Sequence, residues 1–220
     1  MATQPPQSEF CQLVLIAPEN ISPSAFIAAL GRAFNGGAVA SLILPQYGMD
    51  EVAFQRLAEQ AGAIAQAAGA ALIIAGDTRV AGRVGADGLH VEGATALTEA
   101  IEKYQSRIAV GGGGVKTRDD ALELGELRPD YIFFGKFGFD NKPETHPRNL
   151  GLAQWWAEMI EIPCILMAGS SIESVAEAAR TGAEFVAVSR AVFYAADPAA
   201  MVARAVAILA DLPLPTEAAG

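Results

Sequence analysis

Short runs of branched and large apolar residues alternate with amphipathic stretches along the chain from Leu13 to about Leu212. The runs lack clean polar alternation, as strands covered on both faces do, and the stretches between them repeat apolar positions at helical spacing. Eight strands are expected, over residues 13–17, 39–44, 71–74, 88–91, 108–110, 131–135, 164–167 and 185–188. Helices are expected near 24–35, 51–68, 79–84, 94–104, 118–124, 152–160, 172–181 and 198–209. A strict strand-helix repeat that stops at eight favours a parallel sheet closed into a (β/α)8 TIM barrel, a single α/β domain. An open doubly wound sheet is the alternative.

Glycine and proline punctuation falls at the same boundaries. Gly36-Gly37, Gly69 and Gly182 follow expected helices, where a left-handed cap residue costs least as glycine. Ser22-Pro23 and Asp197-Pro198 open the first and last helices, with proline where its missing donor is not needed. The Gln/Pro-containing head, 1–10, and the tail, 213–220, are expected as loose ends around a domain spanning 11–212. No internal linker divides the chain. Gly85-Ala86-Asp87-Gly88 and Gly182-Ala183-Glu184-Phe185 echo one another as strand entries, a scaffold repeat.

The 220 residues and 52% hydrophobic content suffice for one sizeable buried core. A formal charge of -10 without a Lys/Arg cluster argues against nucleic acid or an anionic membrane as partner, so an anionic ligand must be met locally by amides and a few cations. Cys11 and Cys164 lie in or beside apolar strands with no metal-type spacing, which points to reduced thiols and a cytoplasmic protein. The residues before Cys11 lack the pattern of a secretory signal. No apolar run approaches the ~18 residues that span a bilayer. Trp155-Trp156 reads as core or as the face of a homo-oligomer.

Candidate chemistry concentrates at strand ends. The seventh and eighth strands run into Gly169-Ser170-Ser171 and Val188-Ser189, small residues at helix heads that suit a phosphate cradle, with helix capping by either serine compatible with that role. Gly112, Gly113 and Gly114, with Gly111, run from the fifth strand toward Lys116, either as a ligand-hugging segment with a cation or as a flexible turn. The loop expected between Gly135 and Leu150 carries Lys136, Asp140, Lys142, His146 and Arg148. Lys136, directly after a strand, is the preferred cation at the barrel mouth. Asp77, with Glu92 nearby, could ligate a hard cation or could cap the helix at Thr78-Arg79. His90 either points into the mouth or fills the barrel interior. The expected ligand is a small phosphorylated metabolite.

Gly85-Ala86-Asp87-Gly88-Leu89-His90, Pro129-Asp130-Tyr131-Ile132-Phe133-Phe134-Gly135, the strand after Ile162-Pro163, and Gly182 through Ser189 together resemble the thiamine phosphate synthase family. The likeness runs from Gly36 to about Pro198, and the family shares its fold with a branch that isomerises an aminothiazole carboxylate. The resemblance implies a transferase that joins a hydroxymethylpyrimidine pyrophosphate to a thiazole phosphate, releasing pyrophosphate and using Mg²⁺. It also implies specific departures. The family's Gln-x-Arg-x-Lys on the second strand falls on Leu42, Leu44 and Gln46, and its Asn-Asp-Arg after the third strand falls on Ala75, Gly76 and Asp77. A one-residue slip lets Asp77 serve as the metal-binding acid, with Arg79 near the lost cation. The second metal acid falls on Thr95, leaving Glu92 as the nearest carboxylate. Gly-Val-Ser-x-His becomes Gly112-Gly113-Gly114-Val115-Lys116. In the loop after the sixth strand only Gly135 and, with a one-residue deletion, Lys142 match. Val-Ser after the eighth strand is intact as Val188-Ser189. The alternative function is a divergent paralogue that binds or isomerises another phosphorylated metabolite, or a non-catalytic phosphate-binding barrel.

Overall fold

Eight parallel strands close into a barrel in sequence order in the computed structural model, which describes residues 11–212. The strands are β1 (Gln12–Ile16), β2 (Ser41–Pro45), β3 (Ala71–Ala75), β4 (Gly88–Glu92), β5 (Ala109–Gly113), β6 (Tyr131–Phe134), β7 (Cys164–Met167) and β8 (Phe185–Val188). The helices are α1 (Pro23–Ala33), α2 (Glu51–Ala67), α3 (Thr78–Arg83), α4 (Ala94–Tyr104), α5 (Arg118–Glu126), α6 (Pro147–Met159), α7 (Ser174–Ala179), α8 (Arg190–Phe193) and α9 (Pro198–Ala210). The expected loose ends, 1–10 and 213–220, lie outside the described residues. Pairing of β1 with β8, from Gln12 opposite Phe185 to Leu15 opposite Val188, closes the ring and excludes the open sheet.

Strand alternation divides the apolar residues between two cores. Val14 and Ile16 point inward with Ile43, Ile73, Tyr131, Phe133, Ile165, Met167 and Ala187. Leu13, Leu15, Leu42, Leu44, Leu72 and Ile74 point outward and pack under the helices with Phe26, Phe54 and Trp156. Each large side chain so buried contributes roughly 1.5–3 kcal/mol. Trp156 is fully buried and donates its indole N–H to the Ile162 carbonyl at 2.7 Å, so it belongs to the core. Trp155 is half-buried beneath the Arg118 guanidinium, which lies 4.8 Å from its ring centre.

Helix starts follow their caps. Ser22 accepts the Ala25 N–H, Asp50 that of Ala53 and Asp197 that of Ala200, while Thr117 and Asp120 form a reciprocal capping box. Three elements differ from the sequence expectation. β5 does not stop at Val110 but continues through Gly111, Gly112 and Gly113, so these glycines are strand residues rather than a loop. Their neighbours explain them. A Cβ at Gly111 would enter the Tyr131 ring, one at Gly113 would lie 2.7 Å from His90 Nε2, and one at Gly112 would lie 2.9 Å from Leu97. α6 begins at Pro147, five residues before the expected start, because His146 Nδ1 accepts the Arg148 N–H at 3.2 Å and Pro147 sits in the first turn. The loop after β6 is therefore shorter than expected and ends at His146. α8, a single turn directly after β8, was not expected.

Replacing Gly111 with alanine adds a methyl group where the Tyr131 ring already lies. Overpacking of this kind costs about 1–3 kcal/mol. The Gly111→Ala variant is expected to show a lower urea midpoint with an unchanged m value, whereas the same change at Gly151, where an added Cβ has nothing within 4 Å, leaves the midpoint within error or raises it.

Candidate active site

Parallel strands joined by outer helices bring all eight strand-to-helix loops to one end of the barrel. Strand register fixes which of them meet. Met167 pairs with Ala187, so Ser170 and Arg190, each three residues further on, leave adjoining strands at the same level. Ala75 pairs with His90, which puts Asp77 and Glu92 in the same relation.

The segment after β7 is bonded to the loop after β6. The Ser170 N–H donates to the Lys142 carbonyl at 2.7 Å and the Ser171 N–H to the Pro143 carbonyl at 3.2 Å. The Gly169 N–H donates to Ser174 Oγ at 2.9 Å, and a Cβ at Gly169 would collide with the Pro143 and Glu144 carbonyls. Glycine is required there because two backbones touch. Ser171 Oγ accepts the Glu173 N–H at 3.3 Å, the local turn that heads α7. The Thr145 N–H, in turn, donates to Glu177 of α7 at 2.6 Å.

The segment after β8 meets the same loop through a charge. Asp140 is 5% exposed, and its Oδ2 accepts the Arg190 N–H at 2.8 Å while Oδ1 lies 3.4 Å from Arg190 Nε. The guanidinium also donates to the Gly138 carbonyl at 3.1 Å. Burial holds the Asp140 carboxyl above the usual carboxylate range, against the opposing pull of the Arg190 amide and charge. Ser189, between Val188 and α8, has a buried hydroxyl with no hydrogen-bond partner among the described residues.

His90 fills the barrel interior rather than projecting from the mouth. Its Nδ1 lies 3.1 Å from the Tyr131 hydroxyl, its Nε2 has no hydrogen-bond partner among the described residues, and its ring lies 5.5 Å from Phe133 and 5.1 Å from Phe137. Desolvation lowers its pKa to about 3, so the imidazole is neutral. Phe133 and Phe137 stack at 4.9 Å and complete an aromatic floor under the mouth. The expected cations are exposed: Lys116 after β5, and Lys136 and Lys142 on the loop after β6. Lys136 Nζ lies 4.0 Å from the ring centre of Phe139, itself exposed. Gly114, with φ of +85°, turns the chain from β5 toward Lys116.

Asp77 performs the capping role. Its Oδ1 accepts the Arg79 N–H at 2.8 Å and its Oδ2 an Arg79 guanidinium N–H at 2.7 Å, which holds its carboxyl below the usual range. Gln46 Oε1 accepts the Asp77 N–H at 3.1 Å. Arg79 also pairs with Glu51 at 2.8 Å. Glu92 is exposed. Among the described residues no group of three or more His, Cys, Asp or Glu side chains could hold a metal ion. Asp77 and Glu92 thus offer at most two carboxylates, one already neutralised by Arg79, and do not fit a resident Mg²⁺ site. Burial, with the Glu184 charge behind it, pushes the Cys11 thiol up to about 12 and raises that of Cys164, which leaves both unreactive.

Sequence reasoning did not single out Arg190 or the aromatic floor. Arg190 directly follows Val188-Ser189, and Phe133 and Phe137 flank the loop already marked by Lys136. Asp140 was noted only as a loop acid, since nothing in sequence links it to a residue 50 positions away.

Fold and loop placement define a (β/α)8 barrel with its working face at the C-terminal ends of the strands. Its family follows from comparison with known proteins. The family model described as thiamine monophosphate synthase matches residues 13–192. A thiamine-phosphate synthase of Rhodospirillum centenum is 33% identical over 197 residues, covering 88% of this chain and 95% of the relative. One of Erythrobacter litoralis is 32% identical over 206 residues, covering 90% and 96%. The solved structure of a thiamine phosphate pyrophosphorylase from Pyrococcus furiosus superposes with a TM-score of 0.78 at 19% identity, over 91% of this chain and 96% of that one, a likeness of fold. The chain belongs to the thiamine monophosphate synthase family.

The buried imidazole has a stability consequence with a defined sign. The unfolded chain takes up a proton at His90 as pH falls below about 6.5, whereas the folded protein resists until about 3. The stability is therefore present above pH 6.5 and is lost progressively as pH falls toward 3, by roughly 3 kcal/mol at pH 4.5. Denaturant titrations at pH 7 and 4.5 should show a smaller acid loss in His90→Gln than in the native protein.

Proposed function

We propose that the protein is a transferase of the thiamine phosphate synthase class, joining hydroxymethylpyrimidine pyrophosphate to thiazole phosphate with release of pyrophosphate. The observation that carries this is the family match across residues 13–192. Relatives bearing that name align over nearly their whole length, which adds support.

In this reaction the bond from the pyrimidine methylene to pyrophosphate breaks with its electron pair leaving on oxygen, and the thiazole nitrogen forms the new bond to that carbon. Negative charge grows on the leaving group, so catalysis needs cations placed there in advance. Lys136 and Lys142 after β6 and Lys116 after β5 are the proposed cations, and Arg79 after β3 joins them only where it gives up its pairing with Asp77 and Glu51. The backbone of Gly169, Ser170 and Ser171, with Ser189, is the proposed seat of the thiazole phosphate. Of the glycines after Gly111, Gly112 and Gly113 make room for Leu97 and His90 rather than for a ligand. Gly114 is proposed to carry the chain past the ligand toward Lys116, and Phe133 with Phe137, over neutral His90, forms the floor. Mg²⁺ is the ion of the family. With Asp77 committed to Arg79, charge compensation in this chain falls on its own cations.

Incubation with both substrates, with and without Mg²⁺, tests the assignment through the appearance of thiamine phosphate and free pyrophosphate. Lys136→Ala should lower kcat/KM by about 10²-fold, comparable to loss of one charge-stabilising donor. The closed Asp77–Arg79 pair favours a second reading, a paralogue that binds or isomerises another phosphorylated metabolite. That reading prevails if the folded protein binds thiazole phosphate and forms no thiamine phosphate.

A further inference from the structure

The donors that a phosphate would need at the β7 and β8 loop tips are already engaged by the protein's own chain. Ser170 and Ser171 give their amides to the carbonyls of Lys142 and Pro143 at 2.7 and 3.2 Å. Arg190 gives its amide to Asp140 Oδ2 at 2.8 Å and its guanidinium to the Gly138 carbonyl at 3.1 Å, and the guanidinium forms an ion pair with Asp140 Oδ1 at 3.4 Å. All of the acceptors belong to one segment, 138–143, between β6 and α6. We propose that this segment is an internal occupant of the oxyanion cradle, with Asp140 supplying the anion, and that a phosphate ester binds only by displacing it. The proposal rests on the phosphate-ester reading of the site given above.

Three further observations bear on the proposal. Asp140 is a carboxylate 5% exposed, and burying such a charge is unfavourable unless it is matched. Its match is a backbone amide at the head of α8 and one arginine, and a phosphomonoester is matched by donors of the same types. Among the described residues, neither the buried hydroxyl of Ser189, the residue before α8, nor Asp140 Oδ1 has a hydrogen-bond partner. The carboxylate and carbonyls of the segment therefore leave one donor unused, which a ligand with three acceptor oxygens can take up. Two residues beyond the segment, Thr145 is tied to α7 outside the cradle by its N–H to Glu177 at 2.6 Å and its hydroxyl to the Ser174 carbonyl at 3.5 Å. Glu177 thus sets how firmly the segment is closed without belonging to the cradle.

Exchange of a carboxylate for a phosphate conserves the sign of the buried charge. A neutral analogue cannot make that exchange and leaves Arg190 unpaired. The cradle accordingly discriminates against ligands that lack a dianionic group, because they cannot compensate for removal of Asp140.

Two variants of the full chain test this with inorganic phosphate as the probe, titrated by calorimetry. Asp140→Asn keeps the shape and removes the resident charge, and phosphate should bind about tenfold or more tighter than to the native protein. Glu177→Ala loosens the closed segment, and phosphate should bind several-fold tighter while the Ser170 and Ser171 amides exchange faster with solvent deuterium. Unchanged or weaker phosphate binding in both folded variants overturns the proposal. If Asp140→Asn does not fold, unchanged binding and unchanged amide exchange in Glu177→Ala overturn it alone. The result is separable from that of the transferase assay. Turnover without any gain in phosphate affinity removes the internal occupant and keeps the transferase, and a gain in affinity without turnover does the reverse.

Discussion

The pairing of β1 with β8 is the constraint on which the other features depend. Four register pairs, from Gln12 opposite Phe185 to Leu15 opposite Val188, turn a sheet with two edges into one with none. Once closed, the sheet has an inside, and every strand must divide its residues between that inside and the helix layer. Val14 and Ile16 go one way, Leu13 and Leu15 the other. The parallel pairing of β6 with β7 and of β7 with β8 puts the loop after β8 near that after β6, which is why Arg190 can meet Asp140 across 50 residues of sequence.

The interior is filled by an exchange of bulk between neighbouring strands. β5 contributes no side-chain volume at Gly111 and Gly113, and β4 and β6 fill that space with His90 and Tyr131. The cost is a buried imidazole that must stay neutral, with one nitrogen against Tyr131 and the other unpartnered. Phe133 and Phe137 lie over it and give the mouth an apolar floor. Charge is kept to the rim, where Lys116, Lys136 and Lys142 are exposed and Asp140 with Arg190 is the exception that goes under cover.

The working face therefore combines a rigid scaffold with one loop that is bonded to the two strand tips that follow it. The loop after β6 touches the β7 tip through backbone, the β8 tip through a carboxylate and α7 through Glu177. Membership of the thiamine monophosphate synthase family supplies the chemistry such a face serves. The residues supply the local variation: a capping aspartate bound to Arg79, and cations placed on loops.

The order and type of the elements were legible in the sequence, because the apolar period changes between strand and helix and the caps at Ser22, Asp50 and Asp197 are local signals. The family resemblance was legible for the same reason, since strand entries such as Gly85-Ala86-Asp87-Gly88 are contiguous. The early start of α6 had a local signal too, in His146-Pro147. Partnership between distant residues had none. Whether Gly111–Gly113 was strand or loop depended on the Tyr131 and His90 rings that need the space. Whether Asp77 was a cap or a ligand depended on where Arg79 turned. That Asp140 faces Arg190 was decided only when β6, β7 and β8 paired side by side. Periodicity and capping are fixed within a few residues of chain, whereas burial, pKa and the pairing of charges depend on which strands become neighbours.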